Sequence, residues 1–181
     1  IQALQPELGE TLLAEPVSGR VRVRLPGDER FQRLADLDVL PMGSTIDTRR
    51  GRVEVTTVRD RRRNRLQEGV FHAGLFIVRQ RRRDRFVTEL VLRERLGPCP
   101  RRGQASAARA ARRRLWGNGR GRFRSRGRYS SAAVRGTRWL VEDRCGGTLT
   151  RVTQGTVTVR DFVRDRRIVL RRGQRYFASP R

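Results

Sequence analysis

Three segments of this chain share one pattern: Gly19-Arg-Val-Arg-Val-Arg-Leu25, Gly51-Arg-Val-Glu-Val-Thr-Thr57 and Gly155-Thr-Val-Thr-Val-Arg160. A glycine opens each, and apolar residues then alternate with polar ones. In an extended chain a period of two places Val21, Val23 and Leu25 on one face and arginines on the other. Around a helix the same pattern would scatter its apolar groups, leaving no stripe to bury. β-branched side chains suit a pleated surface, and glycine suits the turn before it. The chain is therefore built on half-buried strands. The uneven spacing of Gly19, Gly51 and Gly155 excludes a fixed-period solenoid.

Further strands follow the same logic. Phe71–Val78 reads as a strand pair or a bent strand, and Phe86–Leu92 as another, with Arg79–Arg85 as a charged hairpin tip. The second half is strand-dense: Gly121–Ser125, Tyr129–Val134, Thr137–Glu142, Thr148–Val152, Gly155–Arg160, Arg167–Leu170 and Gln174–Ala178. Strand–helix alternation is missing, which argues against a doubly wound sheet. The expected class is all-β: stacked short antiparallel strands, as a β-sandwich or β-roll. Residues 1–16 read as a lead-in and 17–178 as a single β domain. Residues 97–114 read as an insertion, because Pro98, Pro100 and Gly103 break the pattern and the Ala/Arg run Ala105–Arg114 has no apolar stripe. Alanine and arginine have good helix propensity, so a partly helical or frayed segment is expected there.

Charge constrains the partner. The chain carries 43 basic residues against 18 acidic ones, a formal net charge of +25. Such an excess points to an anionic partner. Every basic residue is arginine, however, and phosphate-binding surfaces ordinarily mix in lysine. Part of the charge is therefore ascribed to a GC-rich coding bias. No apolar run reaches the roughly 18 residues of a membrane-spanning helix. The opening Ile1–Glu10 reads as mid-protein text, so a fragment of a longer secreted protein is expected. Cys99 and Cys145 both sit in turn-like contexts, Gly97-Pro-Cys-Pro100 and Arg144-Cys-Gly-Gly147. A structural disulfide between them is expected, and with it an oxidising, extracellular or envelope compartment; two buried thiols are the alternative.

Chemistry is sparse, and the expectation is a protein that is not an enzyme. His72 is the only histidine and lies beside an apolar strand residue, facing solvent or a hydrogen-bond partner. One His and two distant Cys do not make a zinc set, and no cofactor is expected. The acids, as in Glu142-Asp-Arg144 and at Asp161, read as compensation of surface charge. Gly117-Asn-Gly-Arg-Gly121 lacks the Gly-Lys-Ser/Thr ending of a phosphate loop and reads as a turn into a strand. The segment 112–129 interleaves arginine with aromatics. Arg112, Arg113, Arg114, Arg120, Arg122, Arg124, Arg126 and Arg128 are candidate contacts to a polyanion, including a nucleic acid. Phe123 and Tyr129 equally suit a half-buried strand with an arginine outer face.

One stretch goes further. Ala133-Val-Arg-Gly-Thr-Arg-Trp-Leu-Val-Glu142, Gly147–Val159 and Val169-Leu-Arg-Arg-Gly-Gln174 resemble the FecR-type domain. The residues carrying the resemblance are Val134, Arg135, Gly136, Thr137, Trp139, Gly155, Val157, Val159 and Gly173. Met42–Thr48 and Gly51–Val55 are similar to the family's opening. The whole also looks like the carboxyl-terminal module of secreted actinobacterial multi-domain proteins. The resemblance implies an extracytoplasmic β-rich module without catalytic residues. In the founding cases such modules relay a surface signal through a membrane-spanning helix. With no such helix in these 181 residues, binding or organising envelope components is the first expectation and signal relay the second. The partners implied are acidic envelope polymers or another surface protein; a basic nucleic-acid-binding protein is the alternative.

Overall fold

In the computed structural model, which describes residues 4–60, 62, 65–101, 103 and 111–181, the first two glycine-led segments lie side by side. They belong to β1 (Thr11–Arg24) and β4 (Thr45–Asp60), which run antiparallel with Gly19 directly opposite Gly51. Register shifts on both sides of this pair bend the two long strands. A Cβ on Gly51 would lie 2.7 Å from the carbonyl oxygens of Ser18 and Arg20. Gly19 adopts φ of 70°, a left-handed conformation natural to glycine. The glycines thus permit a close crossing of backbones, while Val21, Val23, Val53 and Val55 beyond them are all buried.

Two short strands, β2 (Gln32–Arg33) and β3 (Asp38–Pro41), flank β1. The chain continues through β5 (Arg65–His72), β6 (Leu75–Gln80), β7 (Thr88–Leu92), β8 (Arg113–Arg120) and β9 (Phe123–Arg126). It ends with β10 (Ser130–Val134), β11 (Thr137–Arg144), β12 (Gly147–Gln154), β13 (Thr156–Asp161), β14 (Arg166–Arg171) and β15 (Arg175–Ala178). All fifteen join one sheet, whose main path runs β14-β13-β10-β9-β7-β6-β4-β5-β8-β11-β12-β15. Among the described residues only β7 and β9 pair in parallel. The two ends of the path are consecutive in sequence. The turn between them bonds back to β12, with the Gly173 amide donating to the Val152 carbonyl and the Val152 amide to the Gln174 carbonyl. The all-β expectation therefore holds, and the stacking takes the form of one large barrel-like sheet. Apart from a 3₁₀ turn at Arg82–Asp84, no helix occurs among the described residues.

The residues that resemble the FecR pattern mark corners. β10 and β11 are joined by Arg135-Gly136 yet do not pair: β10 lies between β9 and β13, and β11 between β8 and β12. Gly155 makes the corresponding corner from β12 to β13, and Gly173 that from β14 to β15. All three glycines have φ between 77° and 84°. A Cβ on Gly155 would press within 2.6 Å of Thr137, so two of the corners are packed against each other. Val134, Val157, Val159 and Trp139 point into the core, whereas Arg135 is exposed.

The core centres on Trp139, Phe71, Phe76 and Phe123, all fully buried. Phe71 meets the other three rings at 5.4–6.0 Å in tilted or edge contacts. The Trp139 indole N–H donates to Ser125 Oγ at 3.0 Å, satisfying its one polar atom. Room for these rings comes from glycine: a Cβ on Gly117 would meet the Trp139 ring at 2.5 Å.

The structure corrects three readings. β1 begins at Thr11, inside the presumed lead-in 1–16, and Leu12, Leu13 and Ala14 are buried. Their contiguous burial hides the period that marks the rest of β1. Gly117-Asn-Gly119 is not a turn but the middle of β8, with Leu115, Gly117 and Gly119 facing inward. The presumed insertion 97–114 likewise ends early, because Arg113 and Arg114 are already strand. Residues 102 and 104–110, which hold most of the Ala/Arg run, lie outside the described residues. Cys99 and Cys145 form a disulfide, their Cα atoms 5.6 Å apart, tying the segment after β7 to the β11–β12 turn.

Candidate anion-binding cleft

The arginines proposed as polyanion contacts do not form one surface. Arg113 donates to Asp143 Oδ2 at 2.8 Å and to the Glu94 carbonyl at 3.0 Å. Arg124 donates to Glu89 Oε1 at 3.0 Å, and Arg126 approaches the same oxygen at 3.7 Å while stacking on Phe162. The Arg128 guanidinium lies over the Tyr129 ring. Phe123 is fully buried, so no base can stack on it. Arg112, Arg114 and Arg120 are exposed, and Arg122 turns towards a cleft described below.

The acids named as surface compensation are in fact buried. Glu142, Asp143 and Asp161 are 4%, 1% and 0% exposed. Asp143 accepts from Arg113, from the Arg128 amide and from Thr148 Oγ1 at 2.5 Å. Asp161 accepts from the Val163 and Arg164 amides, the Arg164 guanidinium and the Tyr176 hydroxyl. Burial pushes its carboxyl up, but these hydrogen bonds outweigh burial and hold it below the ordinary range. Asp47 is the third such anchor. Burial raises its pKa, yet donation from Arg49 and Arg22 lowers it to about 2. Bonding to Asp47 in turn raises the pKa of Arg49. Hydropathy hides this burial, because turn residues enclose Asp161 while near and distant donors together enclose Asp47 and Asp143.

What remains after these pairings is a cleft of about 580 Å³ lined by Arg59, Arg62, Arg65, Arg82, Arg85 and Arg122, with Leu8, Asp60 and Phe86. It lies where the β4–β5, β6–β7 and β8–β9 connections meet the segment before β1. Among the described residues none of the six arginines makes an ion pair. Asp60 supplies the one carboxylate, and its Oδ1 accepts from the Arg62 amide at 2.9 Å.

A buried polar network holds the walls together. The Gln67 amide donates to Thr57 and Thr88 hydroxyls and accepts from the Arg122 backbone N–H at 2.8 Å. The Gln80 amide donates to the carbonyls of Val58 and Phe86 and to Thr88, and accepts from the Gly9 N–H at 3.0 Å. The bonds to Arg122, Phe86, Val58 and Gly9 end on, or next to, residues that line the cleft. Arg85 and Phe86 are successive non-glycine residues at φ of 53° and 54°. Such strain persists only where the surroundings enforce it. Six guanidinium groups converging on a small space can bind a multivalent anion through their N–H donors. The hairpin tip Arg79–Arg85 was legible as charged, but Arg59, Arg62 and Arg65 give no sequence signal of convergence.

His72 is half-buried on the outer face of β5, its ring parallel to that of Trp116 with centroids 6.3 Å apart. Burial, then the charges of Arg52, Arg138 and Arg114, lower its pKa, so it is neutral at physiological pH. Among the described residues no cluster of His, Cys, Asp and Glu could hold a metal ion. No helix there is long and apolar enough to cross a membrane. No family model, no curated protein and no solved structure matches the chain.

Proposed function

We propose that this chain is a non-catalytic, extracytoplasmic module, similar to FecR-type domains, that binds acidic polymers of the cell envelope. The observation that carries the reading is the convergence of six ion-pair-free arginines on a cleft with one carboxylate. The Cys99–Cys145 disulfide fits an oxidising compartment. Signal relay would use the same contact, with the polymer or a surface protein as its trigger. The exposed Arg112, Arg114 and Arg120 keep nucleic acid as the second reading. The test compares a glycerol-phosphate polymer with duplex DNA and single-stranded RNA at about 200 mM salt, where non-specific contacts to a +25 chain weaken steeply. Retention of the polymer, weakened about tenfold by Arg59→Gln/Arg65→Gln/Arg122→Gln together, is the expected result. Sequence-preferring binding of DNA or RNA at that salt would replace the envelope reading.

A further inference from the structure

The sheet formed by β1, β4, β5, β8, β11 and β12 has an outer face that the anion cleft does not use. Register aligns Glu15, Glu54, Val70, Asn118, Arg138 and Gln154 in one row across these six strands. At ordinary strand spacing the row spans about 24 Å. Two residues along each strand, on the same face, come Arg52 and the stacked pair His72 and Trp116. On the other side Glu68 stands opposite Arg120. A groove of about 740 Å³ runs here, lined among others by Glu54, Glu68, Asn118, Arg120, Thr137 and Gln154.

Its carboxylates are held differently from the five buried ones. Asp47, Glu89, Glu142, Asp143 and Asp161 are each held by arginine. Glu15, Glu54 and Glu68 have no arginine within ion-pairing distance among the described residues. Glu15 and Glu54 are direct cross-strand neighbours, an arrangement that costs stability. Burial, then the charges of Glu68 and Glu15, raise the pKa of Glu54. Three carboxylates here stand among Arg52, Arg114, Arg120, Arg138 and Arg151, so in a chain of net charge +25 this face carries acids and bases in mixture with only a small local excess. Thr137, which lines the groove, is 3% exposed and its hydroxyl has no hydrogen-bond partner.

A polyanion would meet the carboxylates, and a polycation the arginines. Planar groups that both donate and accept suit hydroxyls, each of which does both. An adjacent indole offers its face to the C–H side of a pyranose ring. We infer that this face binds a neutral polysaccharide chain laid across the strands, with Asn118, Gln154, Glu54 and Glu68 on its hydroxyls and Trp116 beneath a ring. Because the groove adjoins the anion cleft but shares no lining residue with it, the module would then bridge two kinds of envelope polymer.

The intrinsic fluorescence of the chain reports on this face. Trp139 is fully buried and hydrogen-bonded, whereas Trp116 is half-exposed on the same face, two residues along β8 from the groove-lining Asn118. Titration with chitotetraose, cellotetraose and maltotetraose should give a saturable change with at least one of them. It should persist at about 0.5 M salt, where ionic contacts between exposed groups are screened. Asn118→Ala and Gln154→Ala, both at exposed positions, should each weaken it about tenfold, and Arg59→Gln/Arg122→Gln should leave it unchanged. The inference is overturned if none of the three sugars saturates by about 10 mM, weaker than a typical specific site. It is equally overturned if binding vanishes in salt, or survives both groove variants. None of these results touches the anion cleft, whose own test uses a different ligand.

Discussion

Asp47 shows how a single buried carboxylate organises this arginine-rich chain. It is 4% exposed and takes hydrogen bonds from Arg22 and from the backbone and side chain of Arg49. Its pKa of about 2 lies below the unfolded value near 3.8. A depressed carboxylate pKa means that the unfolded chain binds the proton more tightly. The stabilisation is therefore complete above the unfolded value and is lost as pH falls towards the folded one. Asp47→Asn is expected to cost about 2 kcal/mol at neutral pH and to flatten the stability profile between about pH 4 and pH 2. Urea unfolding of both proteins across that range checks it; parallel profiles would show that Asp47 is not an anchor. At this scale sequence was informative where alternation set the burial, as at Val21, Val53 and Val157, all buried. It misled at Glu142, Asp143 and Asp161, because hydropathy puts a carboxylate outside and does not show which of them the fold encloses.

Among the elements, the glycine-led strands behave according to where their glycine sits. Gly51 faces two carbonyls across the β1–β4 pair, so a methyl group there has to push the strands apart. Gly136 turns a corner in open space at φ of 78°. Gly136→Ala should cost only the left-handed penalty of about 1–2 kcal/mol. Gly51→Ala should exceed it, at about 3 kcal/mol, through displaced backbone. Chemical denaturation ranks the two, and the reverse order would contradict the close crossing. The strand windows of the second half were legible because each has a clean period and a glycine or charged turn at its end. β8 was not, since Gly117 and Gly119 look like turn residues until Trp139 and Phe123 are seen to pack over them.

Across the whole molecule, the Cys99–Cys145 bond closes a loop with a sequence separation of 46 and holds Cys99, after β7, against the β11–β12 turn. The chain-entropy relation gives about 4 kcal/mol for a loop of that size. Cys99→Ser/Cys145→Ser should therefore unfold at clearly lower denaturant, and non-reducing mass spectrometry of the native chain should find no free thiol. Equal midpoints would mean that the barrel does not depend on the clasp. Alternating valines, turn glycines and arginine excess determined the class of this protein, its strand windows and its cationic character. These are local properties, written in a period of two and in conformations that glycine readily adopts. Tertiary structure alone decided that Arg22, Arg113 and Arg124 are bound to buried acids and that six other arginines line the cleft. It also decided that Glu15, Glu54, Asn118 and Gln154 share a row. Both depend on cross-strand register and on the order of strands in the sheet, which join residues far apart in the chain and leave no periodic trace in it.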